Sequence, residues 1–516
     1  MSGATARPPP VLSFKLLSVP ATPFSPRLGL ARLIRSSTEV IDVVTPGLFL
    51  HTSRGHVPHL SVDHISLMAK QMPWLHASFE GFLETLPPTP TLQPGPQPLH
   101  TFFGLPAASH IISLSLRDPA DVQERPPDGD DYLSSMTIRG VRKIEPSFYR
   151  SYVSCVQPDI IIALSDIPFT LPPFSQKRMT KSIDRTIRWL GEILKSRPSM
   201  EITDNIRGNN IFVSLVGGTN AAARRAFSQN LLGPLEEGSN LSSVRPQTIP
   251  RLDDHISGYV LEMAQLRLEL SASLSCGNDS SSTKEPTQAI NQLLKASLSP
   301  LPADKLRVVH SSISPHEMLR LISLCGIDLF DSYWAQKAAD WGIALDFSFP
   351  VSTSRDDTGP TRRSDGKRDV GHNLYHTGYA FDFRGLVGGP MHGCSCLACA
   401  PSFTKPIPHS SLEFVNDGCE EDAPAFTRAY IHHLLHTHEM SAHALLVSHN
   451  ITVLQDFFAA IRSTLSADAP QFDTEVARFE TEYDGDMRII EEGRRAWEEV
   501  DCARGKGRLA RERGTI

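Results

Sequence analysis

Short apolar runs alternate with helix-like segments along the chain, and three runs show the pattern most clearly. Asp159 is followed by Ile160-Ile161-Ile162-Ala163-Leu164, a continuous apolar run ending at Ser165-Asp166, as expected of a strand covered on both faces. Ile211-Phe212-Val213-Ser214-Leu215-Val216 ends at Gly217-Gly218, after which Asn220 to Asn230 reads as a helix. Leu306-Arg307-Val308-Val309 leads through His310-Ser311-Ser312 to Ser314-Pro315-His316-Glu317, which supplies an N-cap, a proline at the first helical position and a capping-box acid. The spacing predicts a helix from Pro315 to Leu324, closed by Gly326, with Ile327 to Asp331 as the next strand. Repeated strand-loop-helix units predict an α/β fold, a (β/α)8 TIM-type barrel, whose chemistry lies at the C-terminal ends of the strands.

Further along, Phe426 to His449 reads as one long helix, with Tyr430 and Leu434, Ile431 and Leu435, and Ala442 and Leu446 at four-residue intervals. His438 and His443 stand five apart and so do not share a helix face, which excludes a metalloprotease reading of His438-Glu439-Met440-Ser441-Ala442-His443. His432, His433 and His436 read as packing or surface residues. Polar stretches rich in Pro, Gly or Ser at Pro87 to Pro98, Asp118 to Asp131, Ser271 to Pro286, Ser352 to Gly371 and Pro401 to Ala423 read as loops or insertions. The expected organisation is a barrel over 1–385, a smaller cysteine-bearing subdomain with closing helices over 386–470, and a charged C-terminal helix with a basic tail over 471–516. The tail's Arg504, Lys506, Arg508, Arg511 and Arg513 against Glu512 read as a solvated segment before an RNA-phosphate contact.

Composition narrows the picture further. With 516 residues, 40% of them hydrophobic, the chain can build a large core. A net charge of -7 means that any nucleic acid must be met by a local basic patch. The sequence offers no run of about 18 apolar residues, so no transmembrane helix is expected. The first segment, Met1 to Ser37, has arginines and no acid, yet Pro8-Pro9-Pro10, Pro20, Pro23 and Pro26 interrupt any amphipathic leader helix. Cys155, Cys276, Cys325, Cys419 and Cys502 are scattered without framework spacing, which points to a reducing compartment. The expected location is the cytoplasm, with peripheral contact at a membrane such as the mitochondrial outer membrane left open.

The remaining three cysteines carry the chemistry. Cys394-Ser395-Cys396-Leu397-Ala398-Cys399 packs three thiols into six residues, a spacing that lets one tight loop present them to a tetrahedral ion. A fourth ligand, commonly histidine, must arrive from elsewhere, and His449 at the end of the predicted helix is suited to fold back over the loop. The competing reading, a redox pair of Cys396 and Cys399, leaves the third thiol without a role and lacks a thioredoxin-type βαβ pattern.

Together with Thr427-Arg428-Ala429-Tyr430-Ile431-His432-His433-Leu434-Leu435, Glu439-Met440 and Ser448-His449-Asn450, this cysteine motif resembles the tRNA-guanine transglycosylase family. Weaker matches at Thr45 to Leu50, Leu301 to Lys305 and Gly326 to Asp331 extend the resemblance over most of the chain. It implies a (β/α)8 barrel with a zinc subdomain, and one structural Zn2+ on Cys394, Cys396, Cys399 and His449. Members exchange a guanine of the tRNA anticodon, at the wobble position, for a modified base through a covalent Asp-ribose intermediate assisted by a second Asp.

By the resemblance Asp331 falls at the nucleophile position, but Tyr333-Trp334-Ala335-Gln336-Lys337 stands where the family has Pro-Thr-Arg. The segment carrying the second Asp is expected at Phe102 to His110, which has no acid. The base-recognising Asp falls on Ser165, with Asp166 one residue late, and Glu262-Met263 replaces a Gly-Gly after Gly258-Tyr259. Four altered elements imply a non-catalytic subunit that forms a heterodimer with the catalytic queuine tRNA-ribosyltransferase subunit and helps hold tRNA. Two other readings are an active transglycosylase using Asp331 and a zinc-dependent hydrolase on a barrel.

Overall fold

The computed structural model describes residues 10–68, 72–170, 172–194, 210–234, 251–276, 286–351, 359–387, 394–400, 426–467 and 469–513. The chain opens with a three-stranded antiparallel sheet, β1 (Val11–Leu16), β2 (Gly29–Ile34) and β3 (Val40–Thr45). The next strands are β4 (Gly47–His51), β5 (Trp74–Ser78), β6 (Ile111–Ser115), an antiparallel hairpin β7 (Leu133–Thr137) and β8 (Gly140–Ile144), then β9 (Ile160–Ile162), β10 (Asn210–Ser214), β11 (Gly258–Glu262), β12 (Leu306–His310) and β13 (Leu329–Asp331). Leaving out the hairpin, these close into an eight-stranded parallel barrel in the order β10-β11-β12-β13-β4-β5-β6-β9.

The apolar runs read from the sequence are therefore barrel strands, each within one or two residues of its expected ends. Helix signals hold equally well. Asn220 caps Ala221–Leu231 by accepting from the N–H groups of Ala222 and Ala223, and Ser314 caps Pro315–Cys325 by accepting from Glu317. Gly326 ends the second helix with φ +57°, the left-handed conformation that glycine adopts without a Cβ penalty.

Alternate strand residues point into the barrel. Phe49, Trp74, Ile111, Ile160, Ile162, Phe212, Val260, Leu306, Val308 and Leu329 form its core, and Ala31, Leu33, Ile41 and Val43 of the small sheet join the same cluster. Two buried ion pairs fasten that sheet where barrel strands begin. Arg27 grips Asp328, just before β13, and Arg35 lies 2.6 Å from Asp159, just before β9. Asp159 also accepts from His100 at 2.8 Å and from the Ile112 amide at 2.8 Å, so its buried charge is fully compensated.

A second compact unit comprises 58–60 and 334–516. The division falls after Tyr333, because the eighth strand of the barrel ends at Asp331; the sequence pattern had placed the barrel's end at residue 385. This unit pairs β14 (Ile343–Leu345) antiparallel with β15 (Gly371–Asn373) and adds helices Arg428–His436, Met440–Ala467, Ala469–Glu482 and Arg488–Arg513. Phe347, Phe349, Phe457, Phe472, Phe479 and Tyr483 interleave as its aromatic core.

Two expectations need correction. The single helix expected from Phe426 to His449 is two helices, broken where His438 turns left-handed at φ +58°. Histidine is among the few non-glycine residues enriched in that conformation, and no Gly or Pro announces the break. By length and composition the helix Met440–Ala467 could span a bilayer, with mean hydropathy 1.4, although it holds no continuous apolar run of about 18 residues. About two thirds of that stretch is buried, 67%, so it is the core helix of this unit. The stretch from Ser271 begins as helix, since Met263–Cys276 continues through it.

The rest of that loop, 277–285, together with 352–358 and the loop expected at Pro401 to Ala423, lies outside the described residues. So do the side chains of the basic tail.

Candidate metal centre and barrel mouth

Cys394, Cys396, Cys399 and His449 converge, their ligand atoms all within 4.8 Å of one another. His449 Nδ1 lies 3.7, 3.4 and 3.5 Å from the three sulfurs in turn. Tetrahedral coordination with metal–sulfur bonds of about 2.3 Å and a metal–nitrogen bond of about 2.0 Å puts sulfur and nitrogen roughly 3.6 Å apart. The residues therefore fit one four-coordinate metal ion.

Three consecutive residues of the helix Met440–Ala467 organise the site. Ser448 Oγ accepts from the Leu397 amide at 3.2 Å and steadies the cysteine loop. His449 donates through Nε2 to the Leu345 carbonyl at 2.9 Å; a carbonyl can only accept, so Nδ1 is left with the lone pair that a metal needs. Asn450 donates to the Ala335 and Ile343 carbonyls and accepts from the Leu345 amide, holding the helix in register against β14. The loop also turns on itself, with the Cys399 amide 3.2 Å from Cys396 Sγ. His432 and His436 stand apart from this cluster and donate to the Leu374 and Tyr375 carbonyls, as packing residues do.

At the other site, the C-terminal mouth of the barrel, every strand except β9 places a polar residue two positions after an inward apolar one. The pairs are Phe49 and His51, Trp74 and His76, Ile111 and Ser113, Phe212 and Ser214, Val260 and Glu262, Val308 and His310, Leu329 and Asp331. This polar layer was legible as an apolar-x-polar ending on β4 and on β10 to β13, a signal that the sequence reading did not use. His76 sits between Ser113 and Ser115 at 3.0 and 3.1 Å and packs against His310 with ring centroids 4.5 Å apart. Burial, with His310 and His51 nearby, pushes the His76 imidazole well below its usual range.

Asp331 ends β13 where the sequence placed it, but it is 0% exposed. Its Oδ2 accepts from the Ser311 amide at 2.7 Å and lies 3.6 Å from His310 Nδ1. Asp166 follows β9 and is equally buried, clamped by Arg178 at 2.6 Å and Arg185 at 3.0 Å. Glu262 accepts from Ser214 at 2.6 Å, and Met263 behind it is fully buried, so both crowd this end as expected. What remains between β9, β10 and β11 is a cavity of about 30 Å³, lined by Asp166, Gly217, Gly218, Arg224, Glu262 and Glu269. That is water-sized, whereas sites for organic ligands run to ~300 Å³ or more.

The segment Phe102 to His110, where the second acid was sought, precedes β6 and so lies at the wrong end of that strand for barrel chemistry. The residues that do follow β6 are Leu116-Arg117-Asp118, with an acid and no glycine. Asp118 stands 3.7 Å from His51.

A sequence model of the family described as "Queuine tRNA-ribosyltransferase" matches residues 27–243 and 262–484. Among curated relatives, the "Queuine tRNA-ribosyltransferase accessory subunit 2" of Aedes aegypti is 25% identical over 444 residues, 86% of this chain and 87% of that protein. Proteins of the same name from Culex quinquefasciatus and Drosophila melanogaster are 28% identical over 426 residues and 26% identical over 460. These alignments cover 82% and 88% of this chain and 81% and 90% of the two relatives.

Proposed function

Since the chain belongs to the queuine tRNA-ribosyltransferase family, we propose that it is the non-catalytic subunit of a heterodimer. Its catalytic partner exchanges guanine for queuine at the wobble position of the tRNA anticodon, and this chain helps to hold the tRNA. The names of its relatives agree with that role. The observation that carries it is the state of Asp331. A carboxylate that must attack the ribose needs an open approach and a second, proton-handling group opposite. Asp331 is sealed from solvent and spends Oδ2 on a backbone amide, and the space beside Asp166 is too small for a purine.

The metal is a single zinc ion with a structural role. A Cys3His set is the donor chemistry of structural zinc, and four protein ligands leave no open position for a water or substrate, which disfavours the hydrolase reading. Zinc ties the cysteine loop to the helix bearing His449 and shapes that unit for pairing. The free cysteines, scattered without framework spacing, support a cytoplasmic location.

Incorporation of labelled queuine into tRNA by this chain, by a catalytic subunit and by the two together tests the reading. Activity that needs the mixture, with the two chains co-eluting, is the expected result. Incorporation by this chain alone, abolished by Asp331→Asn, would overturn it in favour of an active transglycosylase.

A further inference from the structure

The chain leaving β6 does not turn back over the barrel wall. Within the eight-strand ring β6 and β12 are four places apart, so they face each other across the mouth. Yet the carbonyl of Pro119, four residues beyond Ser115, accepts a hydrogen bond at 3.3 Å from the hydroxyl of Ser311, the first residue after β12. Four residues reach at most roughly 13 Å, and the chain bends at Leu116 and Arg117 and turns at Pro119, where it meets the end of β12.

Ser311 itself is held at φ +63°, a costly conformation for a residue with a Cβ. Three contacts hold it there: its amide donates to Asp331, its carbonyl accepts from Arg267 and its hydroxyl donates to the Pro119 carbonyl. Beneath this latch lie three buried polar atoms without a hydrogen-bond partner, His310 Nδ1, Ser312 Oγ and Asp331 Oδ1. Buried polar groups without a partner are rare in folded proteins, so three together mark a place of unusual strain or chemistry.

The crossing segment is firmly pinned. Arg117 lies 2.5 Å from Asp128, Arg125 lies 3.3 Å from the buried Glu80, and both guanidiniums stack on Phe169, at 5.0 and 4.1 Å from its ring centre. Both arginines are thus turned inward. Residues 117–131 hold six acids against those two arginines, a net of -4; Asp130 is offset by Lys181 and Arg185 from outside the segment, while Glu124 and Asp131 are exposed. A lid of this charge repels a polyanion.

From closure and charge together we infer that residues 117–131 are an acidic plug that shuts this barrel to RNA, so that in the heterodimer the anticodon is directed to the partner's barrel. The consequence for the substrate rests on the function proposed above; the closure itself does not.

The test uses the full chain alone, so it stands whether or not the pairing does. Diethyl pyrocarbonate labelling read by peptide mass spectrometry should find His51 and His310 protected relative to the exposed His438. Ser311→Gly keeps the backbone conformation and removes the latch hydroxyl. It should raise labelling of both histidines several-fold, on the order of the tenfold that loss of one hydrogen bond allows. Binding of a short fluorescein-labelled single-stranded RNA at low salt should strengthen about tenfold in Glu124→Lys/Asp131→Lys. The control, Glu499→Lys/Asp501→Lys, makes the same change of charge far along the sequence and should have little effect. Unprotected histidines in the parent chain, or equal gains in RNA affinity for the two charge variants, would overturn the inference. Failure of the chains to co-elute would remove only the functional reading.

Discussion

The cysteine-histidine cluster and the barrel mouth both bury ionisable side chains, and they dispose of the charge in opposite ways. At the cluster the three sulfurs and His449 Nδ1 face one another at 3.4 to 3.7 Å, and the protein turns its own donors to the outside of the set, through Ser448 and the Leu345 carbonyl. At the mouth three acids face groups supplied by the chain: Asp166 meets Arg178 and Arg185, Asp331 meets the Ser311 amide through one oxygen, and Glu80 meets Arg125. Convergent lone pairs with no internal partner ask for an external ion. Acids already answered by arginines and amides do not ask for a substrate. The same family fold thus keeps one site as a binding site and converts the other into structure.

The sharpest way to break that comparison is to take one sulfur from the cluster. Cys396→Ser should lose stoichiometric zinc and unfold the unit around it, since structural zinc sites are worth ~10 kcal/mol or more of folding free energy. Metal analysis and calorimetry check this: the expected trace loses the transition of residues 334–516 and keeps that of the barrel. Full zinc occupancy in the variant would mean that the donors are not ligands.

The matching insult to the barrel is smaller. Asp159→Ala leaves Arg35 buried and unpaired and takes the acceptor from His100, which should cost about 3–5 kcal/mol in urea unfolding of the barrel while the zinc content stays at one. A loss below about 1 kcal/mol would show that these polar contacts are replaceable.

Glu269 sharpens the contrast through pH. It lines the small cavity with Oε2 unpartnered, and burial raises its carboxyl to about 7 from the ordinary 4.5, against the pull of Arg224. A folded-state pKa above the unfolded one means that the folded chain binds the proton more tightly. Its contribution to stability is present in full below pH ~4.5 and is lost as the pH rises through about 7. The difference in unfolding free energy between the parent and Glu269→Gln should therefore shift by on the order of 3 kcal/mol across that window, in favour of the amide at high pH. A difference that does not change with pH would mean that the carboxyl is answered by a group as Asp166 is.

Much of this was readable from the residues. Apolar runs ending at Asp166, Gly217 and His310 marked barrel strands because parallel strands are buried on both faces, and Ser314 and Gly326 marked helix ends because they satisfy orphan amides and carbonyls. The cysteine spacing announced a cluster able to hold a metal ion, and His449 does converge on it. What stayed hidden depended on register or on distant partners. The break at His438 has no Gly or Pro to signal it. The resemblance implied the second acid at Phe102 to His110, a segment that precedes β6, which starts at Ile111. The path of residues 116–119 across the mouth depends on Ser311, 192 residues away in sequence, and no local pattern encodes that contact.

The finest test separates the loop's own turn from the helix that steadies it. Ser448 is 2% exposed, and its hydroxyl is the acceptor for the Leu397 amide. Ser448→Ala removes that acceptor without touching a ligand, leaving a buried N–H unanswered at a cost of about 1 kcal/mol. Zinc should remain stoichiometric, but its loss to a chelator should quicken about fivefold, since that energy held the loop closed around the ion. Thr452→Ala is the control. Thr452 Oγ1 donates to the Ser448 carbonyl within the same helix at 2.9 Å and makes no bond to the loop, so its removal should leave the rate of zinc loss unchanged. Equal acceleration in both variants would assign the effect to a softened helix; acceleration in Ser448→Ala alone means that the helix holds the metal site through a loop amide as well as through His449.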